Sequence, residues 1–396
     1  MTKRADIPSL TGLRGVAAWL VVIAHTDGYF AALQPAGLEY AWRVCANLGM
    51  MLFFVLSGFV IHYNYGVSVG TFRPAALKAF AIARFARLYP LYVFTFAIGV
   101  AMAGPAMFAS DTFARVWPYY ATLTQNWTPQ LVNGVVMTTV YIGGAWSISV
   151  EVFLYIFYLV AVLPIMALRN QRDTLIVIGM LCIGATIFFG GYAGGFWLSS
   201  LQLPQWWLGG SPYSRIPEFL LGALCANLYL QFREPPGDRE SRAAYLLSIL
   251  GGAWISVIFA LCYRFPNLQS CWGFAPGIAI LIFYGARYRS CLSHLLESRV
   301  AIALGDASYS IYLLHGYVLF LIMQGDLASI PFAIFKIAIA WVLIIFLSLG
   351  VHRYFETPAR RIIRGRLTPA DDHGLASNVA ISDTGYSAGA YPKVQH

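Results

Sequence analysis

Ten apolar runs separated by short basic connections constrain this 396-residue chain more than any other feature. About 20 apolar residues in a helix cross roughly 30 Å of hydrocarbon, and in lipid each backbone polar group must be satisfied within its own segment. The runs are 12–33, 44–65, 87–104, 145–168, 173–190, 215–232, 243–263, 272–288, 307–324 and 331–351. Charged residues make up 11% of the chain, against roughly 25% in soluble domains. The expected fold is an all-α polytopic membrane protein, with about ten transmembrane helices around an internal cavity or tunnel. The first run lacks a small-residue cleavage site and is expected to stay as a span rather than leave as a signal peptide. Segment 113–124 is apolar but short and holds Pro118, which predicts an interfacial or re-entrant piece. Residues 1–366 read as one membrane domain. Residues 367–396, without apolar periodicity, read as a disordered cytoplasmic tail.

Charge orients the spans. With the N-terminus inside, twenty Lys and Arg fall in inside stretches, and only Arg43, Arg115, Arg215 and Arg264 fall outside. Positive charge favours the cytoplasmic side, so both termini are expected there. The net charge of +9 does not indicate nucleic acid, because the basic residues sit in these short connections. Six cysteines show no metal-ligand spacing, and no metal is expected. Cys262 and Cys271 flank one connection and pair only if it faces an oxidising compartment.

The chemistry should lie where polar residues interrupt apolar runs, since a charge at bilayer depth needs a partner or a wet cavity. Leu10–Asp27 holds Arg14, His25 and Asp27. Arg14 and His25 are eleven residues apart, hence on nearly one helix face and roughly 16 Å apart along the axis. Arg84 and Arg87, three apart at the inner end of the third run, share a face and suit bidentate binding of phosphate. Glu151 lies about 9 Å below the outer surface and His25 about 12 Å, so the two are expected to meet. A carboxylate that fixes a histidine tautomer makes that histidine a general base. Asp27 is the rival partner, although positions i and i+2 point apart on a helix. Tyr309, Tyr312 and His315 share a face near the midplane, where convergent polar groups indicate a wet cavity. Ser57-Gly58 reads as a small pair that lets helices approach closely, and Glu356 as the partner of a nearby arginine. Each signal also has a structural reading: a snorkelling arginine, topology charges or a buried ion pair. The aromatic connections 105–144 and 191–214 suit either an interfacial belt or stacking on sugar rings.

Six of these segments, in order, resemble the motifs of the acyltransferase-3 family, membrane enzymes that modify bacterial surface and exported sugars. They are L-T-G-L-R-G-V-A-A-W with Arg14 and His25, F-F-V-L-S-G-F, Arg84-x-x-Arg87, W-S-I-S-V-E, L-G-D-A-S-Y-S-I-Y-L-L-H and E-T-P-A-R-R. The similarity runs from about Ile7 to Arg366. Met51 stands where many members carry an acid. The SGNH hydrolase-like domain of many members has no counterpart in the chain, so a stand-alone form is expected. The resemblance implies an O-acyltransferase of the bacterial inner membrane. It would move an acyl group, usually acetyl, from cytoplasmic acyl-CoA to a hydroxyl of an exported polysaccharide or its lipid-linked precursor. Arg14, Arg84 and Arg87 would bind CoA, and His25 with Glu151 would be catalytic. Asp27, Tyr309, Tyr312 and His315 would contact the carbohydrate acceptor. Small-molecule acylation, as of a macrolide, is the alternative acceptor class. A proton-coupled transporter using His25 and Glu151 is the alternative outside enzymes, although the repeats and broken helices typical of transporters are not evident in the sequence.

Overall fold

The computed structural model describes residues 6–26, 39–129, 131–132, 135–136, 144–193, 206–232, 234–265, 268, 272–324 and 330–367. These fold into fourteen α-helices. They are α1 Pro8–His25, α2 Glu39–Val69, α3 Pro74–Ala103, α4 Asp111–Thr122, α5 Trp146–Ala167, α6 Gln171–Ala193, α7 Pro212–Gln231, α8 Asp238–Arg264, α9 Ala275–Arg287, α10 Cys291–Leu296, α11 Arg299–Asp306, α12 Ser308–Ile322, α13 Ile330–Val351 and α14 Thr357–Leu367. A two-residue antiparallel pairing, Leu131–Val132 with Val135–Val136, interrupts the helical pattern. Asp27, Cys271 and the tail from 368 lie outside the described residues; Cys262 is a buried free thiol.

Six segments are long and apolar enough to cross a membrane among the described residues: Ala41–Val69, Pro74–Ala103, Trp146–Ala167, Gln171–Tyr192, Asp238–Arg264 and Pro331–Leu367. The other four expected spans overlap α1, α7, α9 and α12 among the described residues. Their composition explains the difference. α9 and α12 are only 13 and 15 residues long, and α1 and α7 carry charge and small residues where they meet other helices. Hydropathy reports lipid-facing surface, whereas a helix packed among others can hold polar groups. The apolar helix α8 is accordingly 17% buried, and the central α2 is 61% buried over its most apolar window. α4, at 12 residues, is too short to span.

Central α2 packs against α1, α3, α5, α7, α8 and α9. Its crossing with α7 needs two glycines: a methyl group on Gly58 would overlap the Phe219 carbonyl, and one on Gly222 would overlap that of Val55. The expected close approach at Ser57-Gly58 is therefore present. On the other side, α1 lies against α10 and α11, where Gly12 faces the Leu296 carbonyl and Gly305 that of Thr11. This contact brings the start of α12 beside Arg14.

Arg215, assigned by charge counting to an outside loop, is fully buried in α7. Its Nη1 meets Glu218 Oε1 at 2.7 Å, one turn on, with both side chains at zero exposure. The Trp272 amide donates to the same carboxylate oxygen at 3.3 Å. Without that pairing either charge would be untenable there.

Candidate active site

α1 and α12 touch at two levels. Arg14 donates to Ser308 Oγ at 3.2 Å, and the rings of His25 and His315 meet edge to face at 4.9 Å between centroids. Position increases along both helices from the first contact to the second, so the helices run in the same direction.

At the Arg14 level is a pocket of about 210 Å³ between α1, α2, α3, α5, α11 and α12. Its wall includes Arg14, Arg84, Arg87, Glu151, Tyr309 and Tyr312, six of the nine residues singled out from sequence. Asp6 and Asp306 add acidic groups beside the arginines. Burial lifts the Asp306 carboxyl above the ordinary aspartate range, against the pull of Arg14, His352, Arg360 and Arg87. Tyr309 is fixed by its hydroxyl, which donates to the Leu88 carbonyl at 2.6 Å and ties α12 to α3.

His25 and His315 lie beyond this wall. Tyr312 bridges the two levels. It lines the pocket, its hydroxyl accepts from Ser147 Oγ at 2.7 Å and donates to the Gly144 carbonyl at 2.9 Å, and its ring lies 5.9 Å from that of His315. Each histidine has a defined tautomer. His25 Nδ1 is 2.8 Å from the Val21 carbonyl, and His315 Nδ1 is 2.6 Å from that of Tyr312. A carbonyl only accepts, so both Nδ1 atoms donate, which leaves Nε2 of each ring as the candidate base. His315 is buried and His25 exposed.

The expected His25–Glu151 pair does not form. Glu151 Oε1 instead accepts from Ser57 Oγ at 3.3 Å and, in a shorter contact, from the Tyr155 hydroxyl one turn along α5. Helix rise fixes neither the level at which two helices meet nor the direction of a side chain around a bundle: Glu151 lines the pocket at the Arg14 level and turns toward α2, whereas His25 lies beyond it. Glu356 likewise meets Ser310 Oγ at 2.8 Å and His352 Nδ1 at 3.2 Å, while Arg360 acts on it electrostatically.

Tyr65, Tyr155, Ser147 and Asp306 join the site without having been singled out. Tyr155 was legible, four residues after Glu151 on the same helix face. Tyr65 reaches the site only through the packing of α2 on α3. Among the described residues, no cluster of His, Cys, Asp and Glu is arranged to hold a metal ion.

Comparison with known proteins adds a lineage to this geometry. The acyltransferase-domain profile of the acyltransferase-3 family matches residues 7–352. A Staphylococcus aureus (strain COL) protein named as a candidate O-acetyltransferase is 24% identical over 381 residues, 91% of this chain and 58% of its own length. Protein 2 in the picA locus of Rhizobium radiobacter is 43% identical over 91 residues, 22% of this chain and 41% of its own. The chain thus spans 58% of the first of these relatives and 41% of the second. The acyltransferase MdmB of Streptomyces mycarofaciens is 26% identical over 389 residues, covering 92% of this chain and 94% of that protein. No solved structure matches the chain.

Proposed function

The chain belongs to the acyltransferase-3 family, and from that premise we propose that it is a membrane O-acyltransferase. In this reading it moves an acyl group, acetyl in the first instance, from cytoplasmic acyl-CoA to a hydroxyl of an exported polysaccharide or its lipid-linked precursor. The protein lies in the bacterial inner membrane, with ten spans and both termini in the cytoplasm. The observation that carries the reading is the two-level site. Three arginines line one pocket, and the His25 imidazole, its Nδ1 held by the Val21 carbonyl, sits about 16 Å farther along α1 than Arg14.

Arginine suits the phosphates of CoA because its planar donors match phosphate oxygens and its charge is permanent. With the phosphates at the arginine level, the pantetheine arm runs along α1 past Glu151, Ser147 and Tyr312 toward His25. His25 Nε2 takes the proton of the acceptor hydroxyl as that oxygen attacks the thioester carbonyl. The C–O bond forms, the C–S bond breaks, and the departing CoA thiolate receives the proton from the imidazolium. The carbonyl of Val21 holds the ring and tautomer for both transfers. His315 and Tyr312, with Asp27 from beyond the described residues, contact the acceptor.

The test is the acetyl content of surface and secreted polysaccharide, read by proton NMR in wild-type, deletion and His25→Ala strains. The reading predicts loss of the same acetyl resonance in both altered strains. Loss in the deletion alone removes His25 as essential. Unchanged acetylation in both argues against a polysaccharide acceptor and moves a small-molecule hydroxyl to the front.

A further inference from the structure

One face of α5 gives the pocket a stripe of polar residues. Ser147, Glu151 and Tyr155 all line it and are spaced by four, so they follow one another at roughly 6 Å intervals along the helix. At one end, the Tyr155 ring centroid lies 5.7 Å from the Arg84 guanidinium carbon. At the other, Ser147 donates to the Tyr312 hydroxyl at 2.7 Å, and the Tyr312 ring lies beside His315. Glu151 stands midway, between the arginine level and the approach to the histidines. Its Oε1 is held from two sides, by Ser57 Oγ at 3.3 Å and by the Tyr155 hydroxyl. Among the described residues its Oε2 has no hydrogen-bond partner and its carboxylate no ion pair. Oε2 is not sealed inside the protein either, so it opens on the pocket.

Resting on the acyl-CoA reading above, we propose that Glu151 is a binding residue for the donor. Its Oε2 accepts an amide N–H of the pantetheine arm, while Ser57 and Tyr155 hold the carboxylate in place. An ionised carboxylate only accepts, with room for about four hydrogen bonds, and two of these are taken by the hydroxyls. What it receives from a ligand must therefore be a donor. An ionised phosphate offers none and carries like charge, so it stays with the arginines. The pantetheine arm has two amide N–H groups between the phosphates and the thioester, and Glu151 lies between the arginine level and Tyr312. A charge at bilayer depth needs a partner or a wet cavity; the arm supplies the partner as it displaces water from the pocket. A charge-assisted bond of this kind adds direction as well as affinity. Glu151 thus sets how far the arm advances along α1, and with it where the thioester carbonyl comes to lie.

Calorimetric titration of the purified protein with CoA and two analogues tests the assignment. In each analogue one amide N–H of the arm is replaced by an ester oxygen, with the thiol and the phosphates kept. Wild type is expected to bind one of the two at least tenfold more weakly than CoA, as for the loss of a hydrogen bond to a charged acceptor. Glu151→Met keeps the length of the side chain and removes both oxygens. It is expected to bind CoA at least tenfold more weakly than wild type, and to bind that same analogue within threefold of its own affinity for CoA. Comparing ratios cancels whatever the ester itself changes in the free ligand. A merely structural role would weaken all three ligands alike and leave the ratio as in wild type. Wild-type binding of both analogues as tightly as CoA, or a wild-type ratio retained in Glu151→Met, overturns the assignment. Should Glu151→Met fail to fold, Glu151→Asp, whose carboxylate withdraws by one methylene, carries the comparison: a narrowed ratio supports the assignment and an unchanged one overturns it. Wild-type protein that binds no CoA would instead defeat the acyl-CoA reading, and the role of Glu151 with it.

Discussion

Replacing Gly12 by alanine tests how α1 presents Arg14 to the pocket. The added methyl group falls on the Leu296 carbonyl of α10, a backbone atom that cannot rotate aside. Relief requires α10 to move away from α1, and α11 with it. Forcing a methyl group into a packed contact costs about 1–3 kcal/mol, and a backbone obstacle belongs at the upper end. Alanine recovers about 0.5–1 kcal/mol of helix preference over glycine, leaving a net loss of about 1–2 kcal/mol. Gly184→Ala on exposed α6 is the control. Among the described residues no neighbouring atom lies within 4 Å of the methyl position there, so only the gain of about 0.5–1 kcal/mol remains. Denaturant unfolding in detergent, followed by tryptophan fluorescence, should therefore move in opposite directions for the two variants. Because α11 carries Asp306 and leads to Ser308, Gly12→Ala should also lower kcat/KM for acetyl-CoA more than tenfold, given that misplacement of about 1 Å can cost 10²-fold. An unfolding midpoint for Gly12→Ala at or above that of wild type would refute the described contact.

Other outcomes follow from the same geometry. Glu218→Ala leaves Arg215 buried without its counter-charge and should destabilise by about 3–5 kcal/mol; replacing both with leucine should be far milder, as unfolding in detergent would show. His25→Ala should lower acyl transfer by about 10²–10⁴-fold and leave CoA affinity near wild type by calorimetry. Because burial raises the Asp306 carboxyl, its neutral form is favoured in the folded state. The stability it contributes is complete below the ordinary aspartate range and is lost as pH rises through the raised folded value. Asp306→Asn should remove that slope, so its stability relative to wild type should grow with pH across the window. Tyr309→Phe, which leaves the buried Leu88 carbonyl without its 2.6 Å partner, should cost about 1–3 kcal/mol.

Much of the fold was legible because lipid restricts the chain so strongly. Each of the ten apolar runs overlaps a helix among the described residues, six of them long and apolar enough to cross a membrane. Which helices face outward was harder to read, because α1 and α7 are less apolar for being packed inside the bundle. The arginine pocket was partly legible: Arg14, Arg84, Arg87, Glu151, Tyr309 and Tyr312 stood out as polar interruptions of apolar segments, and they line one space. What sequence lacks is the azimuth of each helix. That angle decides that His25 meets His315 rather than Glu151, and that Arg84 stacks against Tyr65 and Tyr155. Arg215 and Glu218 carried a usable signal, opposite charges three apart in an apolar run, but counting Arg215 as a loop charge concealed it.

The central claim is that the protein transfers an acyl group from CoA with His25 as the base. It is tested most directly in proteoliposomes holding wild-type or His25→Ala protein, with radiolabelled acetyl-CoA and the producing cell's polysaccharide as acceptor. The account predicts thiol release that depends on acceptor, matches ester formed mole for mole in wild type, and falls at least 10²-fold in His25→Ala. Equal ester formation by the two proteins would contradict the role of His25, and no ester with either would contradict the proposed transfer to polysaccharide.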